Sequence, residues 1–237
     1  MRWMAEAARM GTRKRLWLAV LLACLLPSCA RAPSRLPAPP PQVVQHAPLP
    51  RREVLDLALQ AYQCALARGD IRRPLLTIID YSLPSSEKRL WVLDPRRKRV
   101  LFHELVAHGV NSGDTWAVAF SNRVNSRQTS LGLFRTDELY VGRHGTSLRL
   151  SGLEPGINDN ARRRAIVMHG ADYVSDWHAH TMGRLGRSWG CPALPRQVND
   201  RVVARIQGGS AVFAYYPDRA WLQQSQFLNC DARYVQR

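Results

Sequence analysis

The hydrophobic period of this chain changes at Gly69, and that change limits the folds open to it. Upstream, Val54, Leu55, Ala58, Leu59, Tyr62, Ala65 and Leu66 recur at three- and four-residue intervals. That spacing lines one face of an α-helix, and a glycine suits its stop, so a helix is expected over 52–68. Downstream the apolar runs shorten. Leu75–Asp80, Arg89–Asp94, Val100–Val106, Thr115–Ser121, Ser130–Thr136, Ala165–His169 and Ala211–Tyr216 are rich in β-branched or aromatic residues. Turn sequences separate them, among them Asp94-Pro95, Asn111-Ser112-Gly113-Asp114 and Glu154-Pro155-Gly156. Many short strands at close spacing predict a mainly β sandwich or barrel. One late helix is expected near Pro195–Ile206, where Val198, Val202 and Ile206 share a face ahead of Gly208-Gly209. There is no internal repeat.

The N-terminus has the pattern of an export signal. Arg2, Arg9, Arg13, Lys14 and Arg15 precede an apolar run from Leu16 to Leu26, a positive segment followed by a hydrophobic one of signal-peptide length. The run is shorter than the roughly 20 apolar residues of a membrane span. Leu26-Pro27-Ser28-Cys29-Ala30 resembles a bacterial lipobox that would acylate Cys29; Leu21-Leu22-Ala23-Cys24 is a rival, and plain cleavage near Ala30 and Ala32 is a third reading. Residues 31–50 hold seven prolines, a composition that favours extended chain over a core. The expected organisation is therefore a signal at 1–29, a linker at 30–50 and one domain at 51–237, long enough for a single core.

The formal charge of +16 falls to +12 once residues 1–29, with five basic and one acidic residue, are removed. A basic chain first suggests nucleic acid, but the export signal and the lack of helix-turn-helix, RNP or zinc-finger spacing exclude that partner. An anionic envelope surface fits charge and compartment together, with solubility alone as the alternative reading of the charge and a lipid anchor at the membrane as a further expectation. With Cys24 and Cys29 assigned to the signal, Cys64, Cys191 and Cys230 remain, and three cysteines cannot all pair within one chain. A Cys64–Cys230 disulfide would leave Cys191 free; two thiols buried as small hydrophobes is the alternative.

The chemistry concentrates between Ile166 and Ala193. Ile166-Val167-Met168-His169-Gly170 reads as a strand delivering His169 to a turn, followed by a polar, Gly-containing loop and then Gly186-Arg187-Ser188-Trp189-Gly190-Cys191-Pro192-Ala193. A glycine before a cysteine lets successive N–H groups converge where sulfur attack creates an oxyanion. A histidine from a neighbouring strand end can take the thiol proton, which a free cysteine with a pKa near ~8.5 keeps at neutral pH. The alternative is a buried Cys191 and a hydrogen-bonded turn histidine.

This segment resembles the signature of the YkuD-type L,D-transpeptidases: a histidine, an intervening loop, then Ser/Thr-His-Gly-Cys. The similarity is greatest to the murein L,D-transpeptidase catalytic domain branch and runs from about Leu75 to Tyr216. It includes Ile79-Asp80-Tyr81-Ser82, Lys88 to Asp94, Val106 to Gly113, Tyr140 to Gly145 and Ser147 to Glu154. Trp189 stands where the broad pattern has histidine, Pro192-Ala193 replaces polar residues, and the interval of 22 positions from His169 to Cys191 is longer than usual. The resemblance implies a YkuD-like β-sandwich or barrel with an N-terminal and a late helix. It also implies a cofactor-free cysteine enzyme acting on peptidoglycan stem peptides. Cys191 would attack the residue-3 carbonyl of a tetrapeptide stem and His169 would be the base. Gly190 and Cys191 N–H groups, with Trp189, would form the oxyanion hole, and the Gly170 carbonyl would orient the imidazole.

Around this pair, Ser188 is either a helper near the thiol or a loop-forming serine. Arg187 and Arg184 are candidate carboxylate clamps, or solvated loop arginines. Trp189 and His180 complete the expected substrate-binding set; His178-x-His180 reads as a polar lid, as a zinc pair, or, through His180, as an alternative base. His108 and His144 fall in Gly-containing turns, which suits loop geometry as well as substrate contact, and Trp91, Trp116, Trp177 and Trp189 are expected in the core or cleft walls. Three rival functions remain at this level: an L,D-carboxypeptidase or endopeptidase using water, a wall-binding lipoprotein, and a zinc hydrolase.

Overall fold

The computed structural model describes residues 47–230. The expected signal, with Cys24 and Cys29, and the first part of the linker lie outside the described residues. Among the described residues, no helix is long and apolar enough to cross a membrane.

The first element is α1 (Arg52–Ala67), which buries Val54, Ala58, Ala61, Tyr62, Cys64 and Ala65 on one face. Glu53 in its first turn complements the positive helix end, and Gly69 at φ +76° takes the chain out of it. The buried face packs on β1 (Leu76–Asp80) and β8 (Ala211–Tyr215), two adjacent parallel strands whose ten residues are all buried. Strands covered on both faces need near-continuous apolar sequence, as Leu76-Thr77-Ile78-Ile79 and Ala211-Val212-Phe213-Ala214 provide.

The remaining strands are β2 (Leu90–Asp94), β3 (Arg99–Glu104), β4 (Gly132–Gly142), β5 (Gly145–Gly152), β6 (Val167–Ala171) and β7 (Ala193–Pro195). They form one eight-stranded sheet in the order β3-β2-β1-β8-β4-β5-β6-β7. A bridge between Ala107, just past β3, and Ala193 in β7 joins the two edges, so the sheet is nearly closed into a barrel. The fold is mainly β, as expected.

Three features place the site. The β4–β5 register shifts between Thr136 and Leu139, and beyond that bulge β4 pairs only with β5. The two strands run on as a hairpin that turns at Arg143-His144. β6 and β7 pair in parallel, His169 opposite Ala193. Helix α3 (Arg196–Ile206) packs against β6, where a Cβ on Gly170 would come within 3.1 Å of Asn199 Cβ and 3.3 Å of Arg196 Cα. A side chain at that position would push the helix back by a few tenths of an ångström.

Two expectations need correction. Thr115–Ser121 is not a strand: its N–H groups at Val118 and Ala119 both bond to Ser112 O, and only isolated bridges at Ala117 and Phe120 touch it. Trp116 and Val118 are accordingly exposed rather than in the core. The polar stretch after Gly170 is not all loop. It contains α2 (Asp176–Met182), whose N-cap Ser175 accepts from His178 N–H and whose end is Gly183 at φ +66°. A further short helix, α4 (Arg219–Gln224), is capped by Asp218, which accepts from Trp221 N–H. Cys64 and Cys230 are disulfide-bonded, and Cys191 is a free thiol.

Candidate active site

Alternation along β6 turns Met168 into the core and puts Val167 and His169 on the opposite face. Because β7 runs parallel to β6 with Ala193 opposite His169, Cys191 two residues earlier lies beside Val167. The Val167 N–H is 3.5 Å from Cys191 Sγ, and Sγ is 3.8 Å from Ala165 O. His169 and Cys191 are thus walls of one cavity of about 440 Å³, shared with Tyr140, Arg143, His144, Tyr173, Arg187, Ser188 and Trp189.

His169 Nδ1 is 3.0 Å from Gly170 O. A carbonyl only accepts, so Nδ1 carries the proton and Nε2 keeps its lone pair. Burial lowers the His169 pKa; the Gly170 carbonyl opposes this, and His144, Arg143 and Arg196 add to it. The imidazole is therefore neutral at neutral pH, as a base must be. His144 stacks on one face of His169, with ring centroids 4.4 Å apart and planes 25° apart, and so restrains the ring in addition to the Gly170 hydrogen bond at its edge. Burial also pushes the Cys191 thiol up, against the Val167 N–H and the charges of Arg164 and Arg143. Both shifts favour a neutral thiol and a neutral imidazole over an ion pair before substrate arrives.

The loop before Cys191 is built by Ser188. Its Oγ donates to Cys191 O at 2.6 Å and accepts from Gly190 N–H at 3.0 Å. Ser188 therefore forms the loop, and the Gly190 N–H expected in the oxyanion hole is already engaged. Among the described residues, the N–H groups of Cys191 and Trp189 have no acceptor. Gly190 sits at φ +115°, and a Cβ there would meet Gln128 O at 2.6 Å. From below, His108 O accepts from Ser188 N–H. The His108 imidazole is fully buried against Arg89 (Nη2 to Nδ1, 2.8 Å), and burial with that charge pushes its pKa down to about 4.

Arg187 lines the cavity while bonding to Gly113 O and to Asp114, 3.0 Å away. Arg184 also pairs with Asp114 but does not line the cavity. Trp189 is 62% exposed, with Arg127 at 4.5 Å and Arg143 at 5.9 Å from its ring. His180 is exposed on α2 with Nδ1 held 2.6 Å from Asp176 O, and neither it nor His178 reaches the cavity. Among the described residues, no three His, Cys, Asp or Glu side chains are grouped to hold a metal ion.

Sequence reasoning did not find Arg164. Its guanidinium donates to Ser121 O (2.6 Å), Ser126 Oγ (3.1 Å), Gln128 O (2.5 Å) and Ser130 Oγ, tying residues 121–130 to the wall beside Cys191. Nothing in the motif marks it. Tyr140, Arg143 and His144 arrive on the hairpin; Gly142 and Gly145 flanking a two-residue turn were the available signal.

A family model described as "L,D-transpeptidase catalytic domain" matches residues 48–215. No curated protein matches the chain significantly. Among solved structures, the chain is similar to an L,D-transpeptidase from Mycobacterium smegmatis at 13% identity, over 60% of this chain and 59% of that one, TM-score 0.37. It is similar to L,D-transpeptidase 1 of Mycobacterium tuberculosis at 12% identity, over 60% and 62%, TM-score 0.33. It is also similar to the helical cell shape determining protein Pgp2 of Campylobacter jejuni at 10% identity, over 68% and 57%, TM-score 0.39. The chain spans about three fifths of the length of these structures.

Proposed function

Because the chain belongs to the L,D-transpeptidase catalytic domain family, we propose that it is a peptidoglycan L,D-transpeptidase with Cys191 as nucleophile and His169 as base. The observation that carries this reading is the parallel β6–β7 pairing, which lines one cavity with a free thiol and an imidazole whose Nε2 is unprotonated.

Cys191 Sγ attacks the residue-3 carbonyl of a tetrapeptide stem as its proton passes to His169 Nε2. The oxyanion is held by the N–H of Cys191, with Trp189 N–H beside it; one such donor is worth about 2.7–4 kcal/mol in the transition state. Collapse breaks the C–N bond, and the proton on Nε2 goes to the departing amine of the terminal D-amino acid. The thioester is then attacked by an amine of a second stem, which loses its proton to the same Nε2 before sulfur leaves. Gly170 O and the His144 ring keep the imidazole aligned through both halves. Arg143 and Arg187, both on the cavity wall, are the groups suited to a terminal carboxylate.

An exported location accompanies this function. The Cys64–Cys230 disulfide suits an oxidising compartment, and the export signal at 1–29, with acylation at Cys29 as the anchor, would supply the route. The basic surface suits an anionic envelope.

The test is intact-mass and product measurement after incubation with a purified disaccharide-tetrapeptide. A thioester on Cys191 with crosslinked dimers is expected, and Cys191→Ala should fold and form neither. A thioester with tripeptide alone would make the enzyme a carboxypeptidase. Turnover by the Cys191→Ala protein would refute the mechanism.

A further inference from the structure

A second cavity, of about 610 Å³, lies against the first and shares two wall residues with it, Ala165 and Trp189. Cys191 Sγ sits 3.8 Å from Ala165 O, at the seam between them. The second cavity is lined by Arg127, Arg163 and Arg164 and has no carboxylate in its wall. Arg127 and Arg163 have no acidic partner among the described residues, and the Arg164 bonds all go to neutral oxygens. The backbone there is also held in an uncommon form. Of the four non-glycine residues with positive φ among the described residues, three line this cavity: Asn125 (63°), Arg127 (55°) and Ala165 (53°). Such residues cluster where a site, rather than a fold, fixes the backbone.

The position of the base decides what this cavity can hold. His169 opens on the first cavity and not on the second. The same Nε2 must protonate the leaving amine and later deprotonate the incoming one, so by microscopic reversibility both amines occupy the His169 side. The acyl half of the donor, which stays on sulfur throughout, must then extend the other way, over Ala165 and Trp189. Resting on the function proposed above, we infer that the second cavity binds the acyl half of the donor stem. Arg127 and Arg163 receive the carboxylates that this half carries beside its peptide bonds. The chemistry is unchanged: the S–C bond forms, the C–N bond breaks, and the thiol proton leaves on the amine.

The full chain is compared with an Arg127→Gln/Arg163→Gln variant in thioester formation, with a tetrapeptide donor and with the same donor carrying carboxamides in its acyl half. The expected result is about a tenfold loss of acylation efficiency for the variant on the acid donor, little change on the amide donor, and an unchanged KM for the acceptor amine. Equal losses on both donors, or an effect confined to the acceptor KM, would overturn the assignment. Calorimetric binding of the released tripeptide, measured in a Cys191→Ala background, separates this from the catalytic reading. Equal binding with and without the two arginines refutes the cavity assignment even where thioester forms. Weaker binding without the arginines supports it even where no thioester forms.

Discussion

Replacing Gly190 with alanine tests whether the loop geometry, rather than the mere presence of Cys191, makes the site. A backbone at φ +115° is one that L-residues rarely adopt, and holding alanine there costs about 1–3 kcal/mol. The new Cβ would also lie 2.6 Å from Gln128 O and 3.2 Å from both Arg164 Nη2 and Ile166 Cδ1, so backbone has to move. Overpacking of this kind costs a further about 1–3 kcal/mol. The expected destabilisation is therefore about 2–6 kcal/mol, which reaches the whole stability of a typical domain, about 5–15 kcal/mol, only at its upper end. The movement falls on the residue whose successor supplies the Cys191 N–H. Misplacing one oxyanion donor costs about 10²–10³ in rate, so acylation should fall by that factor in protein that is still folded. The assay is the rate of thioester formation by intact mass, run well below the melting temperature, with circular dichroism to establish the folded fraction. A Gly190→Ala protein that melts lower but acylates within about threefold of the wild type would refute the reasoning.

Three other outcomes are expected. Removing the disulfide with Cys64→Ala/Cys230→Ala releases a loop with a sequence separation of 166, for which chain entropy gives a ceiling of about 5 kcal/mol. Guanidinium unfolding should show most of that loss, and an unchanged midpoint would contradict it. The pH profile follows from the direction of the shifts. His169 must be neutral and its pKa lies below the usual 6.5, so kcat/KM should hold as pH falls to 6.5 and drop only below it. Alkylation of Cys191 in the free enzyme should keep rising with pH through 9 without reaching a plateau; a plateau below pH 9, or an acid limb of kcat/KM above 6.5, would contradict the neutral-pair reading. Arg164→Met removes four hydrogen bonds to the 121–130 segment and the stronger of the two arginine charges favouring the thiolate. A loss of about 2–4 kcal/mol is expected, with slower alkylation of Cys191 at fixed pH, and an unaltered alkylation rate would separate Arg164 from the thiol.

The sequence was most readable where one local rule decided the outcome. The 3.6-residue period of 54–66 and the near-continuously apolar β1 and β8 need nothing beyond themselves to be recognised. Thr115–Ser121 failed because the continuous apolar run Trp116 to Phe120 serves a tight wrap around Ser112 O, which composition does not distinguish from a ladder. Seven residues gave α2 too little length for a period, although Ser175 and Gly183 were legible caps. Within the site, the pair Cys191 and His169 was visible because a motif carries it. Arg164 was not, and His144 was noted only as a turn residue suited to the loop or to substrate contact, since each acts through a contact across more than 20 positions. Ser188 was left open between two roles, and only its two hydrogen bonds assign it to building the loop.

The long interval between His169 and Cys191 has a physical explanation in the sheet. Parallel neighbours cannot be joined by a tight turn; the chain must cross over, which takes a dozen or more residues. Residues 172–192 are that crossover. α2 is part of it, and Ala171, Val174, Ala179, Leu185 and Ala193 pack with Leu105 and Ala107 into a small separate core beneath it. What fixes the thiol beside the imidazole is the register of β6 against β7, with Ser188 and Gly190 setting the last turn. The crossover length is free to vary as long as its own small core closes. A spacing longer than the broad family pattern is therefore compatible with an unchanged site. The crossover also carries His178 and His180 away on α2, so these histidines, near Cys191 in sequence, do not line its cavity. His144, 47 positions away in sequence from Cys191, lies against His169 instead.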